Sequence, residues 1–91
     1  MTSSVIQVNP SVVCTQLQNG DSVLLHLETQ MYYSLNPTGV FIWEHLDGKR
    51  TVEDVSEALE QKYDISMQDA SNSVSTLINE LAAEKLVFLD Q

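Results

Sequence analysis

Apolar positions in the first third of the chain recur in short stretches typical of β-strands. Residues 12–17 are rich in β-branched side chains and precede the turn signal Asn19-Gly20-Asp21. Residues 23–27 form a short apolar run, and residues 31–35 have apolar side chains at alternate positions. That alternation places three side chains on one face of the third strand: Met31, Tyr33 and Leu35. The pattern predicts a three-stranded antiparallel meander, which needs helices packed on one face for stability.

The spacing of apolar residues changes to a helical period after residue 35. Asn36-Pro37 favours a helix start, because Asn accepts amide protons at an N-cap and Pro at the first helical position loses no needed donor. The predicted helix is about ten residues long and ends at Asp47-Gly48. Gly39 lowers helix propensity inside it, which indicates a close approach to a strand.

Two more helices are predicted from their capping signals. Thr51 and Asp54 resemble a capping box and open a helix to about residue 63. Ser66 and Asp69 repeat this arrangement for a third helix that ends near residue 84. Apolar residues of the third helix follow helical spacing: Met67, Ala70, Val74, Leu77, Ile78 and Leu81.

The order of these elements predicts an α+β fold, with a three-stranded antiparallel sheet followed by three helices. Residues 86–89 are expected to close the chain as an extended segment on the core. The 91 residues suit a single domain, which we expect to span residues 12–91 after a flexible N-terminal segment, residues 1–11.

The charge balance argues against nucleic acid and anionic membranes as partners. Thirteen acidic residues against four basic ones give a formal net charge of −9. The second and third helices resemble a helix-turn-helix pair, but no Lys or Arg occurs between Lys62 and Lys85 to contact phosphates. The chain has neither a membrane-length apolar run nor the pattern of a secretory signal, and its expected location is the cytoplasm.

The sequence offers little catalytic chemistry. Cys14 and His26 are one conceivable nucleophile pair, but the simpler interpretation is a small buried thiol and a strand histidine near the surface. His45 has no partner at metal-ligand spacing, and motifs for thiol, zinc or phosphate chemistry are absent. We therefore predict a protein that is not an enzyme and that needs no metal or cofactor.

Two surfaces remain as candidates for binding. If residues 31–35 form an edge strand, their unpaired backbone groups can bind an extended peptide, because neither Pro nor Lys interrupts them. Tyr32 and Tyr33 would add amphipathic contacts to that peptide. The outer face of the third helix is small, polar and almost uncharged, which fits either a groove wall or an ordinary solvated face.

Residues 31–39, MYYSLNPTG, followed by Ile42-Trp43 and Leu46-Asp47-Gly48, resemble the PqqD-like family. Its members are small recognition domains for ribosomally synthesised and post-translationally modified peptides. The resemblance covers about residues 12–89. One departure lies at Glu84-Lys85, where many relatives have a glycine before the last hydrophobic segment.

The resemblance implies a winged-helix-like, non-catalytic domain that binds the leader segment of a precursor peptide as an added strand. Such domains present the peptide to a modifying enzyme, such as a radical S-adenosylmethionine protein or a leader peptidase of lasso-peptide pathways. The implied strand contacts are Met31, Tyr32, Tyr33, Ser34 and Leu35. One flank of the third helix is expected to complete the site: Ser71, Ser75, Ile78, Asn79 and Ala82. The alternatives are a winged-helix regulator or a protein–protein adaptor, and either a monomer or a swapped dimer is compatible with the sequence.

Overall fold

A computed structural model describes residues 5–90 of the chain, as five strands and three helices. In chain order these are β1 (Val5–Val8), β2 (Val12–Gln16), β3 (Ser22–His26), β4 (Tyr32–Leu35), α1 (Pro37–Glu44), α2 (Val52–Tyr63), α3 (Met67–Ala83) and β5 (Val87–Asp90). The α+β class is confirmed, and so is a three-stranded antiparallel sheet, β2–β3–β4, that is followed by three helices.

Strands β2, β3 and β4 form the predicted antiparallel meander, with β3 in the centre. Gly20 adopts a φ of 92° in the turn between β2 and β3, a conformation that a residue without a Cβ reaches at little cost. The inward face of β3 is fully covered: Ser22, Leu24 and His26 are all buried. The helices therefore pack on one face of this sheet, as the amphipathic patterns require.

Strand β1 corrects the expectation that residues 1–11 are flexible. It pairs antiparallel with β5, from Val5 opposite Asp90 to Val8 opposite Val87, and Ile6 is fully buried. The four residues of β1 do not by themselves predict a strand, because β5, the strand with which they pair, lies at the other end of the sequence. The domain therefore extends to Val5, and the remainder of the expected flexible segment, residues 1–4, lies outside the described residues.

The three helix starts follow the predicted capping chemistry. The Asn36 side chain accepts from the Gly39 amide at 2.8 Å, and Ser66 accepts from the Asp69 amide at 3.1 Å. Thr51 and Asp54 form a reciprocal capping box. The first helix is shorter than expected: it ends at Glu44 and does not continue to Asp47-Gly48.

Gly39 lies where α1 crosses β4, as expected from the sequence. A Cβ added at this position would lie 3.2 Å from Leu35 Cδ2. The absence of a side chain therefore lets α1 begin directly against the end of β4.

Helix α3 supplies the centre of the core and packs most extensively against α2. Its buried residues are those of the predicted stripe: Ala70, Val74, Ile78 and Leu81. Residues from the other elements complete the core: Ile6, Leu24, Leu35, Ile42, Leu46, Val55, Leu59, Leu86 and Val87.

Cys14 and His26 have the opposite environments to those expected. His26 lies on the central strand and is 2% exposed, with its Nδ1 accepting from the Glu28 amide at 3.2 Å and its Nε2 3.2 Å from Asn9 Nδ2. Cys14 is exposed, because it lies on the outer strand β2.

Replacing Ile6 by Ala tests whether β1 belongs to the domain. Because Ile6 is fully buried, truncation should lower the free energy of unfolding by about 2–4 kcal/mol. The matched control is Gln7→Ala on the same strand, where the side chain is exposed and the loss should stay below about 1 kcal/mol. Urea denaturation followed by circular dichroism measures both, and equal small losses would contradict the packing of β1.

Lys85 is the position where a glycine should stabilise this chain. Its φ is 61°, in the left-handed region that costs a residue with a Cβ about 1 kcal/mol, and its side chain is exposed. Lys85→Gly should therefore raise the free energy of unfolding by about 0.5–1 kcal/mol in a denaturant titration. Glu84 has a φ of −92°, and Glu84→Gly should give no such gain.

Candidate functional site

The outer edge of β4 exposes backbone groups to solvent, because no strand within residues 5–90 pairs with that edge. The His26 amide donates to the Met31 carbonyl at 3.0 Å. This bond determines which residues of β4 direct their backbone groups toward β3 and which direct them toward the open edge. Met31 therefore turns its C=O toward β3, and Tyr33 and Leu35 turn both their N–H and their C=O toward it. Tyr32 and Ser34 turn theirs toward the open edge, where a guest strand can reach them.

A groove of about 650 Å³ lies between β4 and α3. Its apolar surface comes from Leu35 and Ile42, each 2% exposed, and from the half-buried Leu77. Polar residues and the start of α1 line the remainder: Asp21, Tyr33, Ser34, Asn36, Thr38, Gly39, Asn72, Ser73, Thr76 and Glu80. The groove thus combines an apolar base, a polar helix wall and a strand edge with open hydrogen-bonding groups.

A hydrogen bond between Tyr33 and Glu80 links the two walls of the groove. The Tyr33 hydroxyl, on β4, donates to the Glu80 carboxylate, on α3. This bond, together with partial burial and the negative charges of Glu80 and Glu84, raises the pKa of Tyr33 to about 12. The phenol is neutral at pH 7 and holds the strand against the helix.

The structure brings only part of the expected strand contacts into the groove. Tyr33, Ser34 and Leu35 line it. Met31 precedes β4 and is 58% exposed, so it does not share the buried position of Leu35 that the alternation predicted. Tyr32 is 74% exposed; it contributes backbone groups to the edge while its side chain is not part of the groove lining.

The expected residues of the third helix lie outside the groove. Ser71, Ser75, Ile78, Asn79 and Ala82 are absent from its lining, and Ile78 is buried in the core. The helix residues that do line it are Asn72, Ser73, Thr76, Leu77 and Glu80. Both sets adjoin the buried stripe, one on each side, so periodicity could not distinguish them. In the sequence, Leu77 is the residue that indicates which flank faces the groove, because it extends the apolar stripe toward that side.

The conceivable Cys14–His26 nucleophile pair is not formed. The His26 ring nitrogens are engaged by the Asn9 side chain and by the Glu28 and Thr29 amides, and neither nitrogen is hydrogen-bonded to the Cys14 thiol. Within residues 5–90, no group of three or more His, Cys, Asp or Glu residues could hold a metal ion. In the same part of the chain, no helix has the length and apolar character needed to cross a membrane.

Together, the meander, the three helices and the groove beside an open strand edge define a small α+β domain with a site shaped for an extended ligand. The family model described as coenzyme PQQ synthesis protein D (PqqD) matches residues 21–87. The chain belongs to the PqqD family. A search of curated proteins finds no match.

Two solved structures share the fold over almost the whole chain. One is described as TbiB1 in complex with the TbiA(beta) leader peptide; it has 25% sequence identity and a TM-score of 0.80, and the match covers 89% of this chain and 93% of that one. The other is a lasso peptide synthetase B1 complexed with the leader peptide, at 24% identity and a TM-score of 0.80, with 92% and 98% covered. Both proteins similar to this chain are thus bound to leader peptides.

Titration of the tyrosines tests the bond between the groove walls. Glu80→Leu removes the carboxylate and should lower the pKa of Tyr33 from about 12 toward its ordinary value of 10.0. Because the folded pKa is the raised one, the bond stabilises the fold below about pH 10, and its contribution is lost as the pH rises through about 12. The absorbance of tyrosinate as a function of pH measures this shift. Tyr33→Phe assigns the signal, and Tyr32→Phe serves as the control. A Tyr33 titration that Glu80→Leu leaves unchanged would contradict the hydrogen bond.

Proposed function

We propose that this chain is a non-catalytic peptide-recognition partner that binds the leader segment of a ribosomal precursor peptide by strand addition. The observation that carries the proposal is the outward direction of the Tyr32 and Ser34 backbone groups, immediately beside the groove. Membership of the PqqD family and similarity to two leader-bound proteins support it.

In this mechanism the leader extends the sheet as a fourth strand next to β4. Tyr32 and Ser34 each offer one N–H donor and one C=O acceptor, so main-chain pairing gives affinity that depends little on leader sequence. Side chains of the leader that point inward meet Leu35 and Leu77, which select for apolar residues. Selectivity thus comes from alternate leader residues.

The wall formed by α3 suits this role chemically. Asn72, Ser73 and Thr76 are exposed and line the groove opposite the strand edge. Their small side chains allow a backbone to approach closely, and their amide and hydroxyl groups both donate and accept hydrogen bonds. We propose these residues, rather than the flank of Ser71 and Ser75, as the helix contacts.

The interface is small, which suits a transient role. A leader of a few paired residues buries less area than a stable complex between two folded proteins, and it must also be ordered on binding. Such binding releases the peptide readily after processing. We propose that the bound precursor is delivered to a modifying enzyme, such as a radical S-adenosylmethionine protein or a leader peptidase.

The structure gives no support to a DNA-binding regulator. Helix α3, which would be the recognition helix, contains no Lys or Arg between Met67 and Ala83. A helix that reads DNA needs cations for the phosphates that flank its site.

Ser34→Pro tests strand addition directly. Proline removes an outward amide and clashes with a guest strand, so affinity for the leader should fall at least about tenfold while the fold is kept. The probe is a fluorescently labelled leader peptide, taken from a short precursor gene sought in the neighbourhood of this one, and its binding is measured by fluorescence anisotropy.

The matched control is Cys14→Pro. Cys14 has the same position on β2, the opposite edge of the sheet, because Val13 and Thr15 turn their backbone groups toward β3. This variant should bind normally. A folded Ser34→Pro protein with unchanged affinity, or equal losses in both variants, would rule out leader pairing on β4.

A further inference from the structure

The groove carries negative charge without any compensating cation. Asp21 and Glu80 are its charged lining residues. None of the four basic residues of the chain lines it. Arg50, one of these four, forms a salt bridge with Asp47 at 3.0 Å. A ligand in the groove therefore meets carboxylates on both the sheet side and the helix side.

Glu80 is held in position for a further contact. The Tyr33 hydroxyl occupies part of the carboxylate, and a carboxylate has about four lone-pair sites on two oxygens. The remaining sites can accept hydrogen bonds from an ammonium or guanidinium group. Because Tyr33 fixes the side chain in advance, less conformational entropy is lost when a cation binds.

Asp21 marks the other end of the groove. Ser22 pairs with Leu35, so Asp21 lies next to the point where β4 ends and α1 begins. The apolar base formed by Leu35, Ile42 and Leu77 belongs to the same groove. Along an extended ligand, side chains on one face repeat every second residue, about 6.5 Å apart.

We propose that the groove selects leader segments in which Lys or Arg flanks an aliphatic residue on the same face of the strand. This inference rests on the proposed function and names the class of peptide that the site accepts. Charge-assisted hydrogen bonds to Glu80 and Asp21 fix the register of the guest, while main-chain pairing with β4 supplies affinity common to all guests. The net charge of −9 adds long-range attraction, which salt screens.

The first experiment selects binders from a displayed library of random peptides on the intact protein. Selected peptides should be enriched in Lys or Arg at one or two alternate positions beside an aliphatic residue. Enrichment of neutral or acidic peptides whose binding is lost in Ser34→Pro would overturn the charge selection and leave strand addition intact. A library that yields no peptide sensitive to Ser34→Pro would overturn both.

The second experiment measures how much each of the two carboxylates contributes to the affinity for one selected peptide. Glu80→Gln keeps an oxygen for Tyr33 and removes only the charge, and Asp21→Asn does the same at the other end. Each should weaken binding by about threefold to tenfold and reduce its dependence on salt. Replacing the peptide's Lys by Gln should give a similar loss, and that loss should shrink in the corresponding protein variant.

The matched control is Glu57→Gln, an exposed position on α2 that changes the net charge equally but does not line the groove. It should leave affinity within twofold of the original. Equal weakening by all three variants would show that net charge, rather than the groove, attracts the peptide, and would contradict the proposal.

Discussion

Hydrogen bonding along β3 alternates between its two neighbours, and this constraint determines where the protein can accept a ligand. Because backbone groups of successive residues point to opposite sides, β3 is satisfied by β2 on one side and by β4 on the other. Among residues 5–90, strand β4 pairs with another strand on one side only. The same alternation sends the Tyr33 and Leu35 side chains toward α3, so the strand that provides the open edge also provides one wall of the groove.

Helix α3 serves the core and the groove at once. Val74, Ile78 and Leu81 are buried, whereas Asn72 and Thr76 are exposed to the groove. A loss of core packing would therefore shift the groove wall as well. The Tyr33–Glu80 hydrogen bond adds a direct link between the helix and the strand edge, so the width of the groove is set by packing and by one polar contact together.

Most of the fold can be predicted from interactions between residues that are close in sequence. The features that could not be predicted depend on pairing and packing between residues that are distant in sequence. The caps at Asn36, Thr51 and Ser66 depend on residues three positions apart, and the meander depends on short turns, so both can be inferred from neighbouring residues. The β1–β5 pair joins the two ends of the chain, which no local pattern indicates. The environments of Cys14 and His26 depend on which strand is central. The groove side of α3 depends on which flank faces β4, and a buried stripe has two equivalent flanks.

The pairing of β1 with β5 has a consequence for how this unit can be joined to other proteins. Val5 and Asp90 are opposite each other in the register, so the chain enters and leaves the fold at one place. A host polypeptide could therefore contain the whole unit as an insertion with short connectors. Joining two ends that already lie next to each other costs little loop-closure entropy. Any ligand that the unit holds would then stay close to the host at an effective concentration in the millimolar range, without a stronger recognition contact.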